Sequence, residues 1–158
     1  MEKSLICYFS ATKTTQKVAE ELGKIINGDL FEIEPVDEYT SSDLDWTNNE
    51  SRTTKEKDDE SYRPQIKNKV ENLDDYHKII IGFPVWWYKE PNIIDTFIEE
   101  NNLENKQIYV FVTSGGSTVD GSFESLVKKY PHLNFISGKR LGLTLNDQEI
   151  LAWLKEDK

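Results

Sequence analysis

Basic residues are scarce in this chain. Nineteen Lys and Arg stand against 29 Asp and Glu, for a formal net charge of −10 at pH 7. Nucleic acids are gripped by clustered Lys and Arg, so no nucleic-acid partner is expected. The same deficit disfavours an anionic membrane surface, and an acidic face instead steers encounters toward basic partners. Cysteine is almost absent. Cys7 is the one copy, which excludes an internal disulfide. It sits inside an apolar run and reads as a small buried hydrophobe rather than a reactive thiol. Histidine occurs twice, as His77 and His132, both at boundaries of apolar segments. Asp58-Asp59-Glu60 reads as a solvated acidic run, and no metal is expected. No apolar run approaches the ~18 residues of a membrane span. No basic leader precedes an apolar signal core, so a cytoplasmic location is expected.

The 158 residues suit a single domain, 1–158, with one core. Ser4-Leu5-Ile6-Cys7-Tyr8-Phe9 is a continuous apolar run, as in a strand covered on both faces. Val18, Leu22, Ile25 and Ile26 then fall on one helical stripe, with Gly28 where a C-terminal cap is wanted. Leu30 to Glu34 alternates apolar and charged, which predicts a half-exposed edge strand. Asp37 to Arg63 is charged and aperiodic, and long for a connection in a compact domain. Trp46, a large aromatic among Asp and Asn, pins that loop or walls a ligand site. Pro64 opens a short helical pattern through Ile66, Val70 and Leu73. Ile79 to Phe83 is the next buried strand, stopped by Pro84. Pro91 fits the first turn of a helix with Ile93, Ile94, Phe97 and Ile98 inward. Ile108 to Val112 is a further buried strand. The following helix carries Phe123, Leu126, Val127 and Tyr130. Asn134-Phe135-Ile136 is a short strand, extended or partnered by Lys139-Arg140-Leu141. Asn146 and Glu149 form a capping pair for a last helix that buries Ile150, Leu151, Trp153 and Leu154.

Strand and helix thus alternate through the chain. The fold class this predicts is α/β, a doubly wound five-stranded parallel sheet of order 2-1-3-4-5 with helices on both faces. A parallel sheet brings successive strand ends to one edge. Three loops should therefore meet there. Ser10-Ala11-Thr12-Lys13-Thr14-Thr15 leads into a helix, whose free N–H groups and dipole suit a phosphate, with hydroxyl donors beside them. It is not a P-loop, which would need a Gly-x-x-x-x-Gly-Lys-Ser/Thr run. Pro84-Val85-Trp86-Trp87-Tyr88 offers aromatic faces on which a planar ring can stack. Thr113-Ser114-Gly115-Gly116-Ser117 allows close backbone approach to a polar ring edge. A phosphate and a flat ring together point to flavin mononucleotide, FMN.

On these same stretches the chain resembles the flavodoxin family over nearly its whole length. The matching residues are Tyr8 to Thr12 with Thr14-Thr15, Ile80 to Pro84 with Trp86-Trp87, and Thr113 to Ser117. Leu44-Asp45-Trp46 and Ser51-Arg52 are similar to one subgroup. The resemblance implies non-covalent FMN and a low-potential one-electron carrier serving redox partner proteins. By that resemblance Ser10, Ala11, Thr12, Lys13, Thr14 and Thr15 would cradle the phosphate. Pro84, Val85, Trp86, Trp87 and Tyr88 would border the isoalloxazine, with Trp87 stacking on it. Thr113, Ser114, Gly115, Gly116 and Ser117 would hold its pyrimidine side. No catalytic acid or base is implied.

Two positions depart from the family pattern. Lys13 stands where the family usually has Gly; if φ is positive there, a non-Gly residue costs roughly 1–2 kcal/mol, part of which a lysine–phosphate pair would offset. Tyr88 stands where the subgroup usually has the Gly whose peptide flips beside the flavin N5, which weakens the one-electron expectation. The rival reading is an FMN-dependent NAD(P)H oxidoreductase acting on quinones or nitro compounds. A phosphoacceptor receiver domain shares the strand order but wants acids where Phe9-Ser10 and Phe83-Pro84 stand.

Overall fold

The computed structural model describes residues 3–10, 13–36, 61–85, 90–113 and 119–154. Its strands are β1 (Lys3–Tyr8), β2 (Asp29–Glu32), β3 (Tyr76–Pro84), β4 (Gln107–Thr113) and β5 (Asn134–Arg140). Its helices are α1 (Thr14–Ile26), α2 (Asn92–Glu100), α3 (Asp120–Lys129) and α4 (Asp147–Trp153). All strand pairs are parallel and the order is β2-β1-β3-β4-β5, as the alternation predicts. Among the described residues no helix is long and apolar enough to cross a membrane.

Side chains alternate across a strand, so the central strands feed two cores. Leu5, Cys7, Phe9, Ile79, Ile81 and Phe83 face one side, under Ile93, Ile94, Phe97 and Ile98 of α2 and Leu126 of α3. Ile6, Tyr8, Ile80, Tyr109 and Phe111 face the other, under Val18, Ala19 and Leu22 of α1 and Ile150 of α4. Being covered on both faces explains why β1, β3 and β4 read as unbroken apolar runs. Cys7 is fully buried, and burial pushes its thiol pKa up, as expected of a packing residue. His77 and His132 are both exposed.

Gly82 is where two central strands need a missing side chain. It pairs in register with Phe111, whose ring lies across it. A Cβ at Gly82 would sit 2.0 Å from Phe111 Cζ. A glycine in β3 therefore gives the neighbouring strand's ring its space.

Two local expectations change. The helix expected after Pro64 does not form; among residues 61–75 the only helical turn is a short 3-10 turn at Leu73–Asp75. Ile66 instead makes an antiparallel bridge to Pro35. The Val36 N–H donates to Gln65 O at 2.9 Å and the Lys67 N–H to Glu34 O at 2.7 Å. Asn68 accepts from the Glu34 N–H and donates to Glu32 O at 2.6 Å. The backbone groups next to edge strand β2 need partners, and supplying them outweighs a weak helical period. At the end of α1, Asn27 rather than Gly28 takes the left-handed conformation, at φ 53°. The Gly28 N–H then reaches Gly23 O at 3.1 Å, closing the helix. Of the two forms expected after Asn134-Phe135-Ile136, the extended one is found, with Asn134 through Arg140 as one strand. The Asn146 cap is as expected, with its side chain accepting from the Glu149 N–H at 3.0 Å.

A buried ionic cluster ties α2 to α3. Lys129 Nζ lies 2.9 Å from Glu90 Oε2 and 3.4 Å from both Asp95 oxygens. Tyr130 Oη lies 2.9 Å from Asp95 Oδ1 and 2.7 Å from Glu99 Oε2, and Arg63 grips Glu99 from the other side.

Candidate functional site

The site is built at the carboxyl ends of β1, β3 and β4. Just past β1, the Phe9 N–H donates to Gly82 O at 3.0 Å. Pro84 pairs with Thr113 at the end of the β3–β4 ladder, and the Val85 N–H donates to Thr113 O at 3.2 Å. Thr15, in the first turn of α1, meets Thr113 directly, with 2.7 Å between the two hydroxyl oxygens. Both are buried, at 1% and 7% exposure. One residue from each of two loops 98 positions apart thus forms a single hydrogen bond. The described ends of the three loops converge.

The start of α1 has no side-chain cap on its N–H groups. Lys13 occupies the N-cap at φ 70° and ψ −4°, the left-handed conformation that a glycine would adopt freely. Its side chain makes no cap and is exposed. The first turn carries no acidic residue, although acids are favoured at a helix N-terminus. Thr14 is exposed beside Lys13. The Ser10 hydroxyl is sealed from solvent and has no hydrogen-bond partner. Buried polar groups nearly always have partners, so this orphan oxygen fits a ligand that would supply one. Thr15 is different from its neighbours in the loop. Its hydroxyl is turned inward to Thr113 and serves to lock α1 onto β4.

Of the ring-side candidates, Pro84 and Val85 are half-buried at the same edge. Ala11, Thr12, Trp86, Trp87, Tyr88, Ser114, Gly115, Gly116 and Ser117 lie outside the described residues, as does Trp46 with most of its loop.

A family model described as Flavodoxin matches residues 3–157. The chain belongs to the flavodoxin family. A proposed flavoprotein from Bacteroides eggerthii is 46% identical, with 98% of this chain and 97% of that one covered and a TM-score of 0.95. A second, from Bacteroides uniformis, is 37% identical at a TM-score of 0.91, covering 98% of this chain and 99% of that one. A flavoprotein from Lactobacillus acidophilus, solved in complex with FMN, shares the fold at 21% identity and a TM-score of 0.75, covering 99% and 100%. No curated protein matches the chain. The cofactor of the flavodoxin family is FMN, and family membership assigns it here. In the flavodoxin strand order FMN is known to lie at the switch point between the first and third strands. Ser10 and Pro84 stand at the ends of those two strands in this chain.

Sequence reasoning did not single out Glu90. It stands two residues after Tyr88, and its carboxylate is bound by Lys129 on α3. A Glu-Pro pair before a helix carries no signal of that, because the partner is 39 positions away.

Proposed function

We propose that this chain is an FMN electron carrier that passes single electrons to redox partner proteins at low potential. The observation that carries the reading is the meeting of Thr15, Val85 and Thr113, which joins a phosphate-type helix start to a ring-type strand edge. The bound FMN would supply the one-electron chemistry.

The residues of the chain have other tasks. Ser10, Lys13 and Thr14, with the N–H groups opening α1, would hold the phosphate. Pro84 and Val85 would wall the ring, and Trp86, Trp87 and Tyr88 would lie against it. Thr113 to Ser117 would meet its polar edge. An apolar wall and a net charge of −10 both oppose added negative charge on the ring, so both lower its potential. For one electron, each ~59 mV corresponds to about 1.4 kcal/mol of such discrimination. The acidic surface also suits docking on basic partner faces.

Anaerobic reduction of the FMN-loaded protein, followed in the visible spectrum, tests this. A carrier shows two separate one-electron stages and stays oxidised when NAD(P)H is added alone. Bleaching in one two-electron stage, with rapid reduction by NAD(P)H, would replace the carrier with the oxidoreductase reading.

A further inference from the structure

We propose that Lys13 makes this site select a phosphorylated flavin by charge, its ammonium pairing with the phosphate at the start of α1. The proposal rests on FMN being the ligand, as argued above.

Lys13 carries two local disadvantages in the free protein. It is a non-glycine residue held at φ 70°, a conformation that disfavours every side chain with a Cβ. It also puts a cation at the positive end of a helix dipole, where a cation is repelled. Lys17 follows one turn later, and no acid in the first turn offsets either charge. A bound anion removes the electrostatic disadvantage and turns it into attraction. Local rules broken together at one position mark a functional site.

The Ser10 hydroxyl points to a ligand independently, since it is buried at the other end of the same loop without a partner. Long-range electrostatics add a need for a cation here. A chain of net charge −10 repels a phosphate dianion, and helix dipole and hydroxyls offer only partial charges against that field. Lys13 is exposed at the start of α1 and offers a full one. Riboflavin, with no phosphate, gains nothing from it.

Flavin fluorescence quenching would give dissociation constants for FMN and riboflavin with the wild type, Lys13→Met, Lys13→Arg and Lys13→Gly. The preference for FMN over riboflavin should fall on the order of tenfold in Lys13→Met, about 1.4 kcal/mol, and return in Lys13→Arg. The riboflavin constant should stay unchanged in Lys13→Met. The FMN affinity of the wild type should rise through pH ~6, where a phosphate monoester becomes a dianion, more steeply than that of Lys13→Met. High salt should narrow the difference. Lys13→Gly separates charge from backbone, because it should melt higher without ligand yet lose the same preference. An unchanged preference in Lys13→Met, or one that salt and pH leave alone, overturns the proposal. A wild type that binds both flavins equally overturns charge selection and leaves the FMN reading standing. A wild type that binds neither overturns the FMN reading itself.

Discussion

At the scale of single residues, two positions show the backbone and the side chains making opposite demands. Gly82 is needed because Phe111 lies across it. Gly82→Ala puts a methyl group into that ring and should lower the unfolding free energy by about 1–3 kcal/mol, read by urea denaturation. Shrinking the ring in Gly82→Ala/Phe111→Leu should recover part of the loss. A single variant as stable as the wild type would mean that the two central strands separate more easily than their register suggests. Lys13 is the converse case. There a side chain is kept although the backbone conformation, φ 70°, favours none. Stability alone therefore gives no reason for a lysine at that position.

At the scale of elements, the bond between Thr15 and Thr113 joins α1 to the end of β4. Replacing either residue by Val leaves the other hydroxyl buried without its partner, which should cost about 1–3 kcal/mol by chemical denaturation. The double change Thr15→Val/Thr113→Val removes both hydroxyls and should be less destabilising than the two single effects added. Strict additivity would show that the two groups do not depend on each other. The segment from Pro64 to Leu73 teaches a related lesson. Its apolar spacing suits a helix, but the chain beside β2 leaves backbone groups open, and the bridge from Ile66 to Pro35 lies against them. Periodicity speaks for a segment by itself, and an open sheet edge is not part of that segment.

At the scale of the whole molecule, the cluster of Glu90, Asp95, Lys129, Tyr130, Glu99 and Arg63 links α2, the end of α3 and the segment before Pro64. Asp95 is buried beside the Glu90 carboxylate, and these effects raise its pKa from 3.8 to about 7 against the pull of Lys129. The Tyr130 hydroxyl lies against the Asp95 and Glu99 carboxylates, and its hydrogen bond to Asp95 opposes the rise, as Lys129 does. Between pH 3.8 and about 7 the folded protein then holds a proton that the unfolded chain has released. Asp95 thus gives its full contribution below 3.8 and loses it as pH rises toward about 7. Asp95→Asn should flatten this fall, gaining on the wild type at pH 8 more than at pH 5 in paired thermal melts. Glu99 has the opposite sign. Its pKa is lowered chiefly by the Arg63 hydrogen bond, so its contribution is present above the ordinary glutamate range and lost on acidification. Exposure of Glu99 keeps that contribution small.

Much of the molecule was legible from local order along the chain. The five strands, the four helices and the sheet order follow from apolar runs, helical stripes and the handedness of crossovers, which are short-range or nearly universal constraints. The convergence of the described loop ends at the carboxyl edge follows from the same topology. Other features have partners far away in sequence. Thr15 and Thr113 are 98 positions apart, and Glu90 and Lys129 are 39 apart. The ring filling Gly82's space and the bridge from Pro35 to Ile66 belong to neighbouring strands and segments. Periodicity and propensity describe how a segment presents its faces. Which hydroxyl, carboxylate or ring meets a face is decided when the sheet closes, because burial then makes each polar group's partner matter.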